Sequence, residues 1–123
     1  MLIPLVFFIS ILLGALGAVI MKLGVTHLGP MEINSVGNVI KFAISILSDF
    51  TILAGIGLYF LSAIAWTFLL TRLDVSYVQP ILSLTYLATP ILAFFIIGEH
   101  IPLVRWLGIA VVILGVYIIA RTA

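Results

Sequence analysis

Met1 to Met21, MLIPLVFFISILLGALGAVIM, runs for 21 residues without an acid or a base. At about 1.5 Å of rise per residue, a helix of that length crosses the roughly 30 Å hydrocarbon core of a bilayer. Two more uncharged runs, Phe50 to Thr71 and Val75 to Gly98, pass the same length test, and Trp106 to Ala120 is a shorter fourth. The fourth reaches spanning length if it starts near Pro102 and lets Arg105 snorkel back toward the headgroups. Pro102 suits a first helical turn, where the missing N–H would have no partner anyway. None of the runs shows the alternation of a membrane barrel strand. The reading is an all-α membrane protein with four transmembrane helices, about 2–22, 51–71, 75–98 and 102–120, in a single transmembrane domain over 1–123. The first run is expected to be a retained helix rather than a cleaved signal, because no basic segment leads it and its apolar stretch is too long.

Composition agrees. Of 123 residues, 65% are hydrophobic and 7% charged, too few charges to cover a water-soluble globule. A net charge of +1 without a basic block excludes nucleic acid as a partner. With no cysteine there is no disulfide or thiolate metal site, and His27 and His100 are too far apart in sequence to suggest one, so no metal or cofactor is expected. No nucleophile constellation or phosphate loop points to an enzyme, and no catalytic residue is assigned.

Between the first two spans, Asn34, Asn38, Lys41, Ser45 and Ser48 recur at spacings of four, three, four and three, with apolar residues on the other faces. This predicts an amphipathic interfacial helix over about 33–48, set off by the Gly29-Pro30 break. It serves either as a surface linker or as a lip over a side opening. Arg72 and Arg121 face Lys22, Lys41 and Arg105 across the membrane, a bias too small to orient the chain.

Within the spans, polar residues form stripes. Gln79, Ser83 and Tyr86 share one face of the third helix with Pro90 a turn later, and polar groups in lipid belong on an interior face. Pro90 removes the donor for the Tyr86 carbonyl, which predicts a mid-span kink and hinge there. On the first helix, Ser10, Gly14, Gly17 and Met21 form a small-residue stripe suited to close helix contact. Tyr59, Ser62 and Trp66 share a face of the second, either as packing or as a surface that stacks on a ligand. Gly108 and Gly115, seven apart on the fourth, form a helix-association seam. Glu32, Asp49, Asp74 and Glu99 all fall at span ends or in connections, so no carboxylate lies at mid-membrane. Lys22 closes the first uncharged run, either snorkelling or holding an anionic headgroup, and Glu99 reads as a hairpin ion pair with Arg105.

In order and spacing, Met21-Lys22, Gly98-Glu99, Trp106-Leu107-Gly108 and Leu114-Gly115-Val116 resemble the small four-helix branch of the drug/metabolite transporter superfamily, the EamA-like and small multidrug resistance proteins. Multidrug members carry a glutamate eight residues before the Met-Lys pair, where this chain has Gly14, and a tryptophan and glycines where it has Gln79 to Leu84. The run Pro80-Ile81-Leu82-Ser83-Leu84 is similar instead to the paired flippase subunits that move aminoarabinose linked to undecaprenyl phosphate. The resemblance implies a flippase of a polyprenyl-phosphate-linked sugar in a prokaryotic cytoplasmic membrane. Gln79, Ser83 and Tyr86 would bind hydroxyls, Tyr59 and Trp66 would line the site, and Lys22 or Arg105 would offset the phosphate. Gly108 and Gly115 would join a homodimer, or a heterodimer with a related four-helix chain. The alternatives are an exporter of cations or small molecules and an accessory membrane subunit.

Overall fold

The computed structural model describes residues 1–30 and 32–122, which form six helices and, among the described residues, no strand. These are α1 (Leu2–Leu28), α2 (Val36–Ser48), α3 (Phe50–Leu70), α4 (Val75–Leu82), α5 (Thr85–Ile96) and α6 (Leu103–Ala120). Lipid supplies no hydrogen bonds to a backbone, so a segment that crosses it must pair its N–H and C=O groups internally. Four spans do so, Leu2–Leu28, Phe50–Leu70, Val75–Ile96 and Leu103–Ala120, with the shorter α2 between the first two.

Local chemistry sets the ends. The Ser35 side chain accepts from the Asn38 N–H at 3.3 Å and caps α2. Asp49 then turns the chain by itself: it ends α2, and its carboxylate accepts the Ile52 N–H at 3.0 Å to start α3. The first span runs six residues past its expected end at Lys22, to Leu28. A lysine sits comfortably in a helix. The stop comes only at Gly29, whose φ of 77° is open to glycine, and at Pro30 after it.

The third span is broken, but not at the expected place. The helix passes through Pro90, whereas the interruption falls at Ser83–Leu84, between α4 and α5. Pro80 withholds a donor from the Ser76 carbonyl a turn before the break, and at the break itself the backbone tightens into three-residue bonds: Ser83 N–H to Pro80 O at 3.1 Å, Leu84 N–H to Ile81 O at 3.1 Å and Tyr86 N–H to Ser83 O at 2.8 Å. The Ser83 hydroxyl donates to the Pro80 carbonyl, and the Thr85 hydroxyl to that of Leu82 at 2.6 Å. Hydroxyls thus serve the carbonyls that the break exposes, as a bilayer requires.

The centre of the bundle is α1, packed against α3 and α5. Ser10 and Ser62 each donate a hydroxyl to the other's backbone carbonyl, at 3.1 and 2.7 Å. Gly17 faces Gly55 so closely that a Cβ on Gly17 would stand 2.8 Å from the Gly55 carbonyl oxygen. The small-residue stripe read on the first helix is therefore its contact with α3. Near the chain termini, Phe7, Leu69, Val78, Ile81 and Val116 form the main apolar cluster. On α2, Asn38, Phe42, Ser45 and Ile46 are partly covered, whereas Val36, Val39, Ile40, Ile44 and Leu47 point away from the bundle. That outward apolar face has lipid to meet.

Candidate functional site

Of the cavities that open along α1 and the α4–α5 span, two hold the site residues read from sequence. The first, about 390 Å³, gathers Tyr59 and Trp66 from α3 with Gln79, Ser83 and Tyr86 from the third span, all five read as site residues from sequence. It also takes Ser10, Gly14, Ser62 and Thr85. Gly14 helps to keep it open, since a Cβ there would meet Ser62 Oγ at 3.3 Å and Thr85 Cγ2 at 3.8 Å. The hydroxyls of Ser10, Ser62, Ser83 and Thr85 are spent on backbone carbonyls. Donors available to a ligand are therefore those of Gln79, Tyr59 and Tyr86. Trp66 Nε1 is buried without a hydrogen-bond partner, a costly arrangement for an indole N–H. Among the described residues, no acid or base lines this cavity. With Tyr86 64% exposed, it opens sideways toward lipid.

The second cavity, about 310 Å³, lies between α1, α5 and the start of α6. Lys22 and Arg105, far apart in sequence, both line it, together with Thr89, Pro90 and Glu99 on a wall of Ala18, Val19, Ala93, Ile97 and Ile101. Arg105 Nη1 stands 4.0 Å from Glu99 Oε1, the expected hairpin ion pair. Pro90 is thus a wall residue of this cavity rather than the site of the break.

The two cavities follow the same helices. On α1, Ser10, Gly14, Ala18 and Lys22 recur every four residues, the first pair in one cavity and the second in the other. On α5, Thr85 and Tyr86 line the first, and Thr89 and Pro90, one turn on, line the second. A step of four helical residues is about 6 Å, so the neutral and the charged cavity lie at successive levels along the same helices. Gly108 and Gly115 belong to neither: a Cβ on each would meet nothing within 4 Å among the described residues, so both face outward from the bundle.

Sequence reading did not assign Glu99, Thr85 or Thr89 to a site. The four-residue spacing of the threonines, in phase with Tyr86 and Pro90, was the available signal for two of them. Glu99 offered none, because its place depends on how α5 and α6 return against α1.

The model of the EamA-like transporter family matches residues 1–121. Among curated proteins, the chain is 36% identical over 63 residues to "Probable 4-amino-4-deoxy-L-arabinose-phosphoundecaprenol flippase subunit ArnE" of Pseudomonas fluorescens, a match covering 51% of this chain and 55% of that protein. The protein of the same name from Pectobacterium atrosepticum is 31% identical over 67 residues, covering 54% of this chain and 55% of its own length. In each case the matched stretch spans about half the length of the relative. No solved structure matches. Four apolar spans and these bacterial relatives make this a multi-pass protein of the bacterial inner membrane. With its family's pattern running through nearly every residue, from the first span to the end of the fourth, the chain belongs to the EamA-like transporters.

Proposed function

We propose that this chain is a flippase subunit that carries the headgroup of a polyprenyl-phosphate-linked sugar across the bilayer while the polyprenyl tail stays in lipid. The observation that carries this reading is the succession of a neutral, aromatic-lined cavity and a cationic one along α1 and α5. A lipid-linked sugar has the same order of chemistry: hydroxyls on the ring, a negative phosphate beside it, then the apolar tail. Only the headgroup needs to leave water, and its hydroxyls need partners when it does. Gln79, Tyr59 and Tyr86 supply such partners. Ser83, its proton committed to Pro80, acts as an acceptor. Lys22 meets the phosphate as a mobile point charge, and Arg105 with a planar fork of donors.

Translocation breaks no covalent bond, so the reading asks for no nucleophile and no enzyme activity. The relatives are named as subunits, and the outward-facing Gly108 and Gly115 are a fitting place for a second chain, whether a copy of this one or a related four-helix protein.

Binding of a polyprenyl phosphate sugar to the full chain in nanodiscs tests the assignment. Lys22→Met keeps an apolar stem but removes the charge, and is expected to weaken binding at least tenfold, the scale of a charged hydrogen bond worth about 1.5–3 kcal/mol. Lys22→Arg is expected to keep part of the affinity. Normal binding by Lys22→Met would move the phosphate contact to Arg105 alone. A wild-type chain that binds no polyprenyl phosphate sugar would overturn the reading.

A further inference from the structure

The second cavity holds two cations and one acid, and that count decides which anion suits it. Lys22, Arg105 and Glu99 line it together, on a wall that is otherwise apolar apart from the Thr89 hydroxyl. Gly98, at φ 77°, turns the chain out of α5, and the Glu99 N–H returns to the Ala93 carbonyl at 3.2 Å, so the backbone keeps the acid at the cavity edge. Its carboxylate stands 4.0 Å from Arg105 Nη1, with Glu99 41% and Arg105 57% exposed. That separation is well beyond the roughly 2.7–2.9 Å of a charge-assisted hydrogen bond, so Glu99 does not clamp the guanidinium, and a pair so exposed adds little to stability. What the acid does change is the charge of the cavity: two cations and one acid leave +1, where the cations alone would give +2.

An anion that enters from water gains attraction in proportion to its own charge but loses hydration in proportion to the square of that charge. The ligand charge that suits a cavity best therefore rises with the net charge of the cavity itself. At +1 the match is a singly charged phosphodiester, which leaves the filled cavity neutral. At +2 it would be a doubly charged phosphomonoester. A lipid phosphate bearing a sugar is a diester, whereas the same lipid without its sugar is a monoester that takes its second charge above about pH 6.

We infer, resting on the proposed reading of this cavity as the phosphate-binding level, that Glu99 is a specificity-determining residue that sets the accepted headgroup charge at one. The cavity takes phosphodiesters and turns away the bare lipid monophosphate. The loaded carrier is thereby told apart from the spent one, although both have the same tail. The competing role for Glu99 is that of a positioning residue, holding Arg105 in place for any phosphate.

Two probes without a sugar isolate the charge: a polyprenyl monophosphate and its methyl diester, each titrated against the full chain in nanodiscs of zwitterionic lipid at about pH 8, where the monoester is doubly charged. Wild type is expected to prefer the diester. Glu99→Gln removes a repulsion that scales with ligand charge, so its factor for the monoester is the square of its factor for the diester: binding is expected to tighten about tenfold and about threefold respectively. Glu99→Asp, which keeps the charge, is expected to behave as wild type and controls for folding. A positioning role has the opposite sign, with both probes bound more weakly by Glu99→Gln. That result, an equal change in both probes, or no change in either would overturn the inference, and the flippase reading would stand so long as wild type binds a polyprenyl phosphate sugar. Wild type that binds neither the methyl diester nor a polyprenyl phosphate sugar would overturn both.

Discussion

The contact between α1 and α3 and the outer face of α6 use the same small residues to different ends. On α1, Ser10, Gly14, Ala15, Gly17, Val19 and Gly24 are all buried, and Gly17 meets Gly55 backbone to backbone. On α6 only Ile109 and Val116 are buried, and Gly108 and Gly115 have open space beside them. Lipid tails are as apolar as leucine, so membrane helices gain from close van der Waals approach and hydrogen bonds rather than from leaving water. A glycine on such a helix marks where an approach is permitted. Whether the approaching helix belongs to the same chain is a separate matter, and here the two seams have different answers.

The largest expected effect comes from filling the inner seam. A leucine at Gly17 or Gly55 would push a Cβ to within 2.8 Å of an opposing carbonyl oxygen, and that backbone has nowhere to move without separating α1 from α3. Overpacking of this kind costs about 1–3 kcal/mol or more, so thermal unfolding in detergent should show a large loss of stability for either variant. A wild-type melting curve would break the comparison at its stronger side.

Next comes the outer seam. Gly108→Leu with Gly115→Leu is expected to leave the melting temperature of the protomer unchanged while separating any oligomer, as read by light scattering on the detergent-solubilised protein. An unaltered oligomer would move the association surface elsewhere, and a destabilised protomer would show that α6 packs more closely within the chain than its open glycines indicate.

The smallest effect belongs to the serine pair. Ser10→Ala and Ser62→Ala each remove half of a reciprocal arrangement, and a double-mutant cycle should give a coupling of about 0.6 kcal/mol, the usual scale for hydrogen bonds between membrane helices. A coupling near zero would leave the glycines as the sole source of the tight α1–α3 approach.

Much of the site was legible because polar residues in a membrane span are few. Gln79, Ser83 and Tyr86 stood out at four- and three-residue spacing, as did Tyr59 and Trp66, and the five line one cavity. The break in the third span was legible only in kind. Two prolines lie in that segment, and the helix is interrupted after Pro80, where the Ser83 and Thr85 hydroxyls bond the Pro80 and Leu82 carbonyls. Through Pro90, with Thr89 beside it, the helix carries on. The end of α1 was misplaced for a related reason: the charge of Lys22 marks a change of solvent, whereas the stop requires the backbone chemistry of Gly29 and Pro30.

From sequence alone came the four spans, their apolar character and the small set of polar residues placed within them. Those follow from a local rule: in lipid each segment satisfies its own backbone, so length and hydropathy suffice to find it. Only the tertiary structure decided that Lys22, Glu99 and Arg105 share a cavity, that Gly17 is closed by Gly55, and that Gly108 and Gly115 face away from the bundle. Those depend on which helix faces meet. In a bundle where every outer surface is equally apolar, the choice rests on shape and a few buried hydrogen bonds between residues distant along the chain, which no local pattern records.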